Sequence, residues 1–375
     1  MSNFEEFISA RIRNIGGYAP GKPIKQAEKE SGVKCIKMAS NENPFGPSPR
    51  ALEAIQQTAS EINLYPDNEV SELRARLAQA HCVQPANIVV TAGSTSLLDV
   101  IARTVLEPGL KAITSERSFI VYPIVTKLAG AELVQVPMKG DTYDLDAIAA
   151  VVDDKTRLVF LANPNNPTGT MVSADAIDRF LDKLPHNVLV VLDEAYADFA
   201  QDFTARRGGQ EYSHSLDYVK QNRPVMVLRT FSKAHGLAGV RVGYGIGPVE
   251  LVATFSRVRT AFMVSAVAEA AAIAALEDQS HLKRSIDNNA AGAEWLMSQL
   301  REMGYEPVET WANFIYVDVG EDSVAVAKRM QAAGVIIRPL SVWGAKTAIR
   351  VSIGTPEQNA AFVKALKKAM AVEVG

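Results

Sequence analysis

From about Val70 the chain alternates short, continuously apolar runs with stretches whose apolar positions recur at helical spacing. The runs are Ile88-Val89-Val90, Leu158-Val159-Phe160-Leu161, Val188-Leu189-Val190-Val191-Leu192 and Val225-Met226-Val227-Leu228. Helical spacing covers Leu97–Leu106 and Ala174–Leu184. A strand apolar at every position has no wet face, so this alternation predicts an α/β fold, with a parallel sheet covered by helices on both sides. Past Val264 the pattern changes. A helical stretch, Ala266–Leu276, leads into mixed strands and helices, including Asn313–Val319 and Ile349–Ile353. That predicts a second, smaller α/β unit. The first forty or so residues are punctuated by Pro and Gly, as an arm packed elsewhere would be. The expected division is an N-terminal arm over 1–40, packing with the small domain, a large domain over 41–264 and a small C-terminal domain over 265–375.

Composition narrows the classes of function. The chain has 375 residues, 47% hydrophobic and 22% charged, which suits one large domain and a smaller one. A formal net charge of -3 and a pI near 6.0 leave no basic footprint for nucleic acid or an anionic membrane. Cys35 and Cys82 are too few for a disulfide framework and read as reduced thiols. The acidic start has no apolar core of a signal peptide, and no run approaches the roughly 20 apolar residues of a membrane span. A cytoplasmic protein is expected. The five histidines are scattered without ligand spacing, so no metal site is expected.

Four segments carry the candidate chemistry, each at the end of an expected strand, where open α/β sheets bind ligands. Thr91-Ala92-Gly93-Ser94-Thr95-Ser96 joins a strand to a helix. Its small residues would let backbone N–H groups approach an anion, although a plain helix cap is the more economical reading of this segment alone. Asn163-Pro164-Asn165-Asn166-Pro167-Thr168-Gly169 is a rigid loop that presents amides beside an apolar strand end. Asp193-Glu194-Ala195-Tyr196 follows five apolar residues, and an acid at the end of a buried strand needs a cation or a donor. A protonated pyridine nitrogen would serve, as would a structural salt bridge. The fourth segment runs from Thr230 to Arg241. There Lys233 lies among small and apolar residues, a setting that lowers an amine's pKa and makes it nucleophilic toward a carbonyl. Arg241 offers a planar donor fork to a phosphate, and His235 reads as a packing residue.

Other motifs fail. Gly243-Tyr244-Gly245-Ile246-Gly247 has the wrong spacing for a dinucleotide fingerprint, and Gly344-Ala345-Lys346-Thr347 is not a phosphate-binding P-loop. No Gly-x-Ser-x-Gly elbow occurs.

Asn-Pro-Asn-Asn-Pro-Thr-Gly, Asp-Glu-Ala-Tyr and Ser-Lys-Ala-His-Gly-Leu-Ala-Gly-Val-Arg, in this order, resemble the fold-type I pyridoxal-phosphate aminotransferases. Tyr18-Ala19-Pro20-Gly21-Lys22-Pro23, Ala39–Pro49, Leu64-Tyr65-Pro66-Asp67 and Ile349–Asn359 are similar to the histidinol-phosphate aminotransferase group within them. The resemblance covers nearly the whole chain and implies a mostly parallel seven-stranded sheet and pyridoxal 5'-phosphate as cofactor. It implies that Lys233 carries the cofactor as a Schiff base and shuttles the proton. Asp193 would pair with the ring nitrogen, while Asn166 and Tyr196 bond its phenolic oxygen. Ser94, Thr95, Ser232 and Arg241 would hold the phosphate, with Tyr65 reaching in from the other subunit of a homodimer, and Phe119 would stack on the ring. Arg350 would take the substrate's carboxylate or equivalent anion. Arg338, with Tyr18, would take a phosphate or second carboxylate, and Asn43 would also touch substrate.

Two departures from the group's pattern bear on the donor. Thr95 and Ser96 stand where the group often has Asn and an acid, and Ala261-Phe262-Met263-Val264 replaces a more polar wall. The resemblance implies transfer from histidinol phosphate to 2-oxoglutarate, whereas the two departures lean toward a more apolar donor. An aromatic amino acid such as phenylalanine remains as the alternative donor, and a decarboxylase of the same fold as a further one. A ligand-binding regulator on this scaffold would need a DNA-binding segment, which neither the arm nor the modest charge supports.

Overall fold

The computed structural model describes residues 4–9, 11–13, 15–17 and 21–371. Tyr18 lies outside the described residues. In chain order the strands are β1 (Ile36–Lys37), β2 (Ile88–Thr91), β3 (Lys111–Ser115), β4 (Glu132–Val136), β5 (Thr156–Ala162), β6 (Leu189–Asp193), β7 (Val225–Thr230), β8 (Gly243–Ile246), β9 (Phe314–Asp318), β10 (Val335–Ile336), β11 (Arg338–Pro339) and β12 (Ala348–Ser352). Seven of them form one sheet in the order β2-β8-β7-β6-β5-β3-β4. Only β8 runs against its neighbours. The mostly parallel sheet expected from the apolar runs is present.

Alternation across the pleat explains why those runs have no polar positions. Val159, Leu161, Val190, Leu192, Val225 and Val227 enter one core, together with Ile177 and Phe180 of a covering helix. Leu158, Phe160, Leu189, Val191, Met226 and Leu228 point the other way, into a core with Leu97, Ile101, Val125 and Phe255. Each strand residue thus has an apolar destination on whichever face it points to. Burying one such side chain stabilises the fold by about 1.5–3 kcal/mol.

Strand β8 is the segment whose glycines fail as a dinucleotide motif. A Cβ on Gly243 would lie 2.5 Å from the Ser94 nitrogen, and one on Gly245 would lie 2.5 Å from Leu97 Cδ2. These glycines let the helix Ser94–Val105 lie directly on the sheet, which brings its first turn to the strand ends.

The smaller unit has an antiparallel sheet, β11-β12-β9. Its core joins Phe314, Ile315, Val317, Ile349 and Val351 to Leu296, Met330, Phe362 and Leu366, which come from helices Gln279–Glu302, Ser323–Ala332 and Pro356–Met370. The N-terminal segment is sewn to this unit. Strand β1 pairs in parallel with β10, Met38 N donates to Ile336 O, and Ser352 N donates to Met38 O. The helix Ala266–Glu277, just past the expected division at 264/265, sends Ala268, Ala271, Ala272 and Ala275 into the first core of the large sheet.

Candidate active site

Strands β5, β6 and β7 end side by side at Ala162, Asp193 and Thr230, and the loops beyond them open into a cavity of about 250 Å³. Ser94, Thr95, Phe119, Asn166, Asp193, Tyr196, Ser232, Lys233 and Arg241 line it from the large unit, Arg338 and Arg350 from the smaller one. Eleven expected site residues therefore come together from segments scattered over the chain.

The two acids after β6 diverge. Glu194 accepts from Arg229 Nη2 at 2.7 Å, from Arg229 Nε at 3.1 Å and from Ser213 Oγ at 2.6 Å. That buried pair is the structural salt bridge of this segment. Asp193 faces the cavity. Its Oδ2 accepts from the Tyr122 hydroxyl at 3.1 Å, while its Oδ1 is buried and has no hydrogen-bond partner among the described residues. Burial pushes the Asp193 carboxyl up to about 6, against the opposing effect of the Tyr122 hydroxyl. An acid left half-satisfied in this way calls for an N–H donor from a ligand.

Lys233 follows Ser232 beyond β7. Its Nζ donates to Ser40 O at 3.3 Å and stands 5.6 Å from the centre of the Tyr196 ring. Burial pulls the amine down to about 8, helped by the positive charges of Arg350 and Arg241. At neutral pH a useful fraction of it is a free nucleophile. The Tyr196 hydroxyl accepts from Asn41 Nδ2 at 2.9 Å.

An anion pocket forms where the helix Ser94–Val105 begins. The N-cap Gly93 has φ 85 and no side-chain cap, so the first-turn amides are not used up by a side chain. A Cβ there would lie 2.4 Å from Arg241 Nη2, so glycine is needed for the guanidinium to come this close. Arg241 Nη1 donates to Ser232 Oγ at 3.3 Å and to Ala238 O at 3.0 Å, and Thr230 Oγ1 donates to Ser232 Oγ at 3.0 Å. Amides, hydroxyls and a guanidinium converging on one spot suit a phosphate.

On the opposite wall, Arg350 Nη1 donates to Asn166 Oδ1 at 2.5 Å and Nη2 to Ala39 O at 2.9 Å. Arg338 is the register partner of Arg350 in the β11–β12 ladder, so both guanidiniums leave the same face of the small sheet. The Arg338 guanidinium lies 5.3 Å from the Trp343 ring, and Trp343 Nε1 donates to Ser118 O at 2.8 Å.

Other expectations are met differently. Asn43 is not a cavity residue. Its Nδ2 donates to Ala234 O and Ser285 Oγ, and its Oδ1 accepts from Phe45 N, so the side chain braces the loop after Lys233. Tyr65 is 83% exposed and lies outside the cavity of its own chain, with its ring 4.7 Å from that of Phe262. Phe262, in the segment that departs from the group's pattern, therefore faces Tyr65, and no residue of 261–264 lines this cavity. His235 is buried with its ring 4.9 Å from Phe231. Asn41, Glu42, Thr230 and Trp343 line the cavity without having been singled out, as does Ser40. Asn41 and Glu42 stand inside the recognised Asn-Glu-Asn-Pro motif, whereas Tyr122 carries no signal beyond its place one turn after Phe119. Among the described residues no His, Cys, Asp and Glu side chains cluster as a metal site.

Pyridoxal phosphate fits these residues. Asp193 Oδ1 lacks the donor that a ring N–H would be, the pocket at Gly93 and Arg241 suits a phosphate, and the Lys233 amine lies in the same cavity for the aldehyde.

The family described as "Aminotransferase class I and II" matches residues 33–366. The chain is 42% identical over 374 residues to histidinol-phosphate aminotransferase 2 of Pseudomonas aeruginosa, covering 99% of this chain and 100% of that one. It is also 42% identical over 362 residues to histidinol-phosphate aminotransferase of Moorella thermoacetica, covering 96% and 92%. Among solved structures, histidinol-phosphate aminotransferase of Sinorhizobium meliloti in complex with pyridoxal-5'-phosphate superposes with a TM-score of 0.88 at 31% identity over 97% of each chain. Aspartate aminotransferase of Thermus thermophilus with maleate shares the fold, with a TM-score of 0.81 at 21% identity over 96% of this chain and 98% of that one.

Proposed function

We propose that this chain, which belongs to the class I and II aminotransferases, moves an amino group from histidinol phosphate to 2-oxoglutarate. The observation that carries the choice of donor is the pairing of Arg338 with Arg350, both lining one wall of the cavity. Two guanidiniums on one face suit a doubly charged anion, and a phosphate monoester brings about two negative charges where a carboxylate brings one. The names of the relatives support the same donor. Phenylalanine would use only one of these cations.

When bound, pyridoxal phosphate supplies the electron sink that makes the donor's Cα–H acidic. The chain does the rest. Asp193 accepts the ring N–H on Oδ1 and holds the proton there. Asn166 and Tyr196 orient the phenolic oxygen, and Phe119 covers one ring face. Ser94, Thr95, Ser232 and Arg241 anchor the phosphate. Lys233, its amine lowered toward neutrality by burial, would take the proton from the donor's Cα and move it to the far side of the amino nitrogen, where the cofactor's aldehyde carbon would receive it. Arg338 and Arg350 fix the far end of the donor, which aligns its Cα with Lys233.

The active form is a homodimer with shared sites in this reading. Ile62, Leu64, Tyr65 and Phe262 leave an apolar surface exposed, a patch suited to a second copy of the chain. Tyr65 of the partner subunit would then complete the phosphate pocket. A donor screen tests the reaction: kcat/KM for histidinol phosphate should exceed that for phenylalanine with 2-oxoglutarate as acceptor. A preference for phenylalanine would overturn the assignment.

A further inference from the structure

We infer that Tyr122 is a positioning residue that sets how firmly the cofactor's ring nitrogen keeps its proton, acting through Asp193. The inference rests on the reading that Asp193 Oδ1 meets that nitrogen. Tyr122 does not line the cavity and cannot touch the substrate. It reaches Asp193 from behind, donating to Oδ2 at 3.1 Å and leaving Oδ1 as the oxygen without a partner among the described residues.

Both partners stand on rigid elements. Asp193 ends β6, in the middle of the sheet, and Tyr122 lies in the helix Val121–Ala129. The Tyr122 ring stacks on Phe160 of the neighbouring β5, with centroids 4.6 Å apart and planes 5° from parallel. Phe119, which lines the cavity, meets Tyr122 edge-on at 5.6 Å. The hydroxyl is therefore held in place by the sheet that carries the acid.

The direction of the effect follows from the hydrogen bond. Donation to a carboxylate stabilises its charged form, so the hydroxyl lowers the proton affinity of Asp193. A less basic Asp193 competes less well for the proton shared with the ring nitrogen, and the proton stays on nitrogen. Burial and the nearby carboxylate push the Tyr122 phenol well above its usual range, so it remains a donor at any working pH.

The test uses holoenzyme loaded with cofactor isotopically labelled at the ring nitrogen, whose resonance reports protonation directly. In Tyr122→Phe, which keeps the stacked ring, the nitrogen should lose its proton at a pH about one unit lower, and kcat should fall about tenfold with KM for the donor little changed. Replacing Tyr122 with 3-fluorotyrosine, a stronger donor of the same shape, should move the titration the other way, and this decides the matter even if the Phe variant folds poorly. An unmoved resonance in the variants, with Asp193→Asn still deprotonating the ring, overturns the role of Tyr122 alone. A resonance indifferent to Asp193→Asn overturns the underlying reading of Asp193.

Discussion

Burial displaces Asp193 and Lys233 toward each other, the acid up to about 6 and the amine down to about 8. Without cofactor, each is a buried charge held at a cost near neutral pH. The folded acid's raised pKa means that stability falls as pH rises from about 4 to about 6, and the lysine's lowered pKa means that stability rises again between about 8 and 10. Asp193→Asn removes the acid's share. The apoprotein of this variant should be more stable than the parent at pH 7 by up to roughly 3 kcal/mol, an advantage that disappears below about pH 4. Thermal melts of both apoproteins across pH measure this, and a difference independent of pH would refute it.

The same substitution should cripple turnover. Without the carboxylate the ring nitrogen is not held protonated, and kcat should fall at least about a hundredfold, on the order of 3 kcal/mol in barrier. A variant stabilised as apoprotein yet slowed as holoenzyme separates the two roles; near-normal turnover would make Asp193 merely structural.

Lys233→Ala should keep the fold and lose essentially all turnover, since no other lysine lines the cavity among the described residues. Borohydride treatment of the parent holoenzyme, followed by peptide mapping, should find the cofactor on Lys233. A label on another lysine would contradict the site.

Arg338→Gln should reduce kcat/KM for histidinol phosphate about a hundredfold, the scale of losing charge-assisted bonds to an anion, and spare phenylalanine by comparison. Steady-state kinetics with both donors read this directly. An equal loss for both would show that Arg338 serves packing against Trp343 rather than recognition of phosphate.

Mixing Lys233→Ala chains with Tyr65→Ala chains should restore part of the activity lost in each, provided Tyr65→Ala alone is sufficiently impaired. In such a heterodimer one site has both Lys233 and Tyr65 of the partner subunit intact. Sedimentation should show a dimer at working concentration, and a fully active monomer would end the reading of a shared site.

The strands buried on both faces were legible in sequence because β5, β6 and β7 carry no polar residue before their final positions other than Thr156, Arg157 and Arg229. Strand β2 was legible in the same way, whereas β3, β4 and β8 were not. Strand β3 reads Lys-Ala-Ile-Thr-Ser, whose polar end is buried, and β4 is a sheet-edge strand with Glu132 and Gln135 exposed. In β8 close packing on the helix selects Gly243 and Gly245, the opposite of strand propensity. At the site, residues within loop motifs were visible because turn chemistry and spacing mark them. Tyr122 was not, because an aromatic residue on the inner face of a helix looks like core, and its hydroxyl gains a purpose only when the sheet brings Asp193 to it. Asn43 shows the converse: a motif fixes which residues recur, and only the fold decides that Asn41 and Glu42, rather than Asn43, line the cavity.

The segment Ala39–Glu42 touches the site at three points: Ala39 O receives Arg350, Ser40 O receives Lys233, and Asn41 Nδ2 holds Tyr196. Residues just before it are held by β10 and by Ser352, both from the C-terminal part of the chain. On the ribosome, therefore, residues 36–42 must wait for β10 and β12. A polypeptide halted before β12 can build the large sheet, with Lys233 and Asp193 on it, yet it lacks both Arg350 and the strand that seats residues 39–42. The competent pocket in this sense reports that β12 has been made and docked, and a chain without it carries the reactive lysine without the walls that direct it.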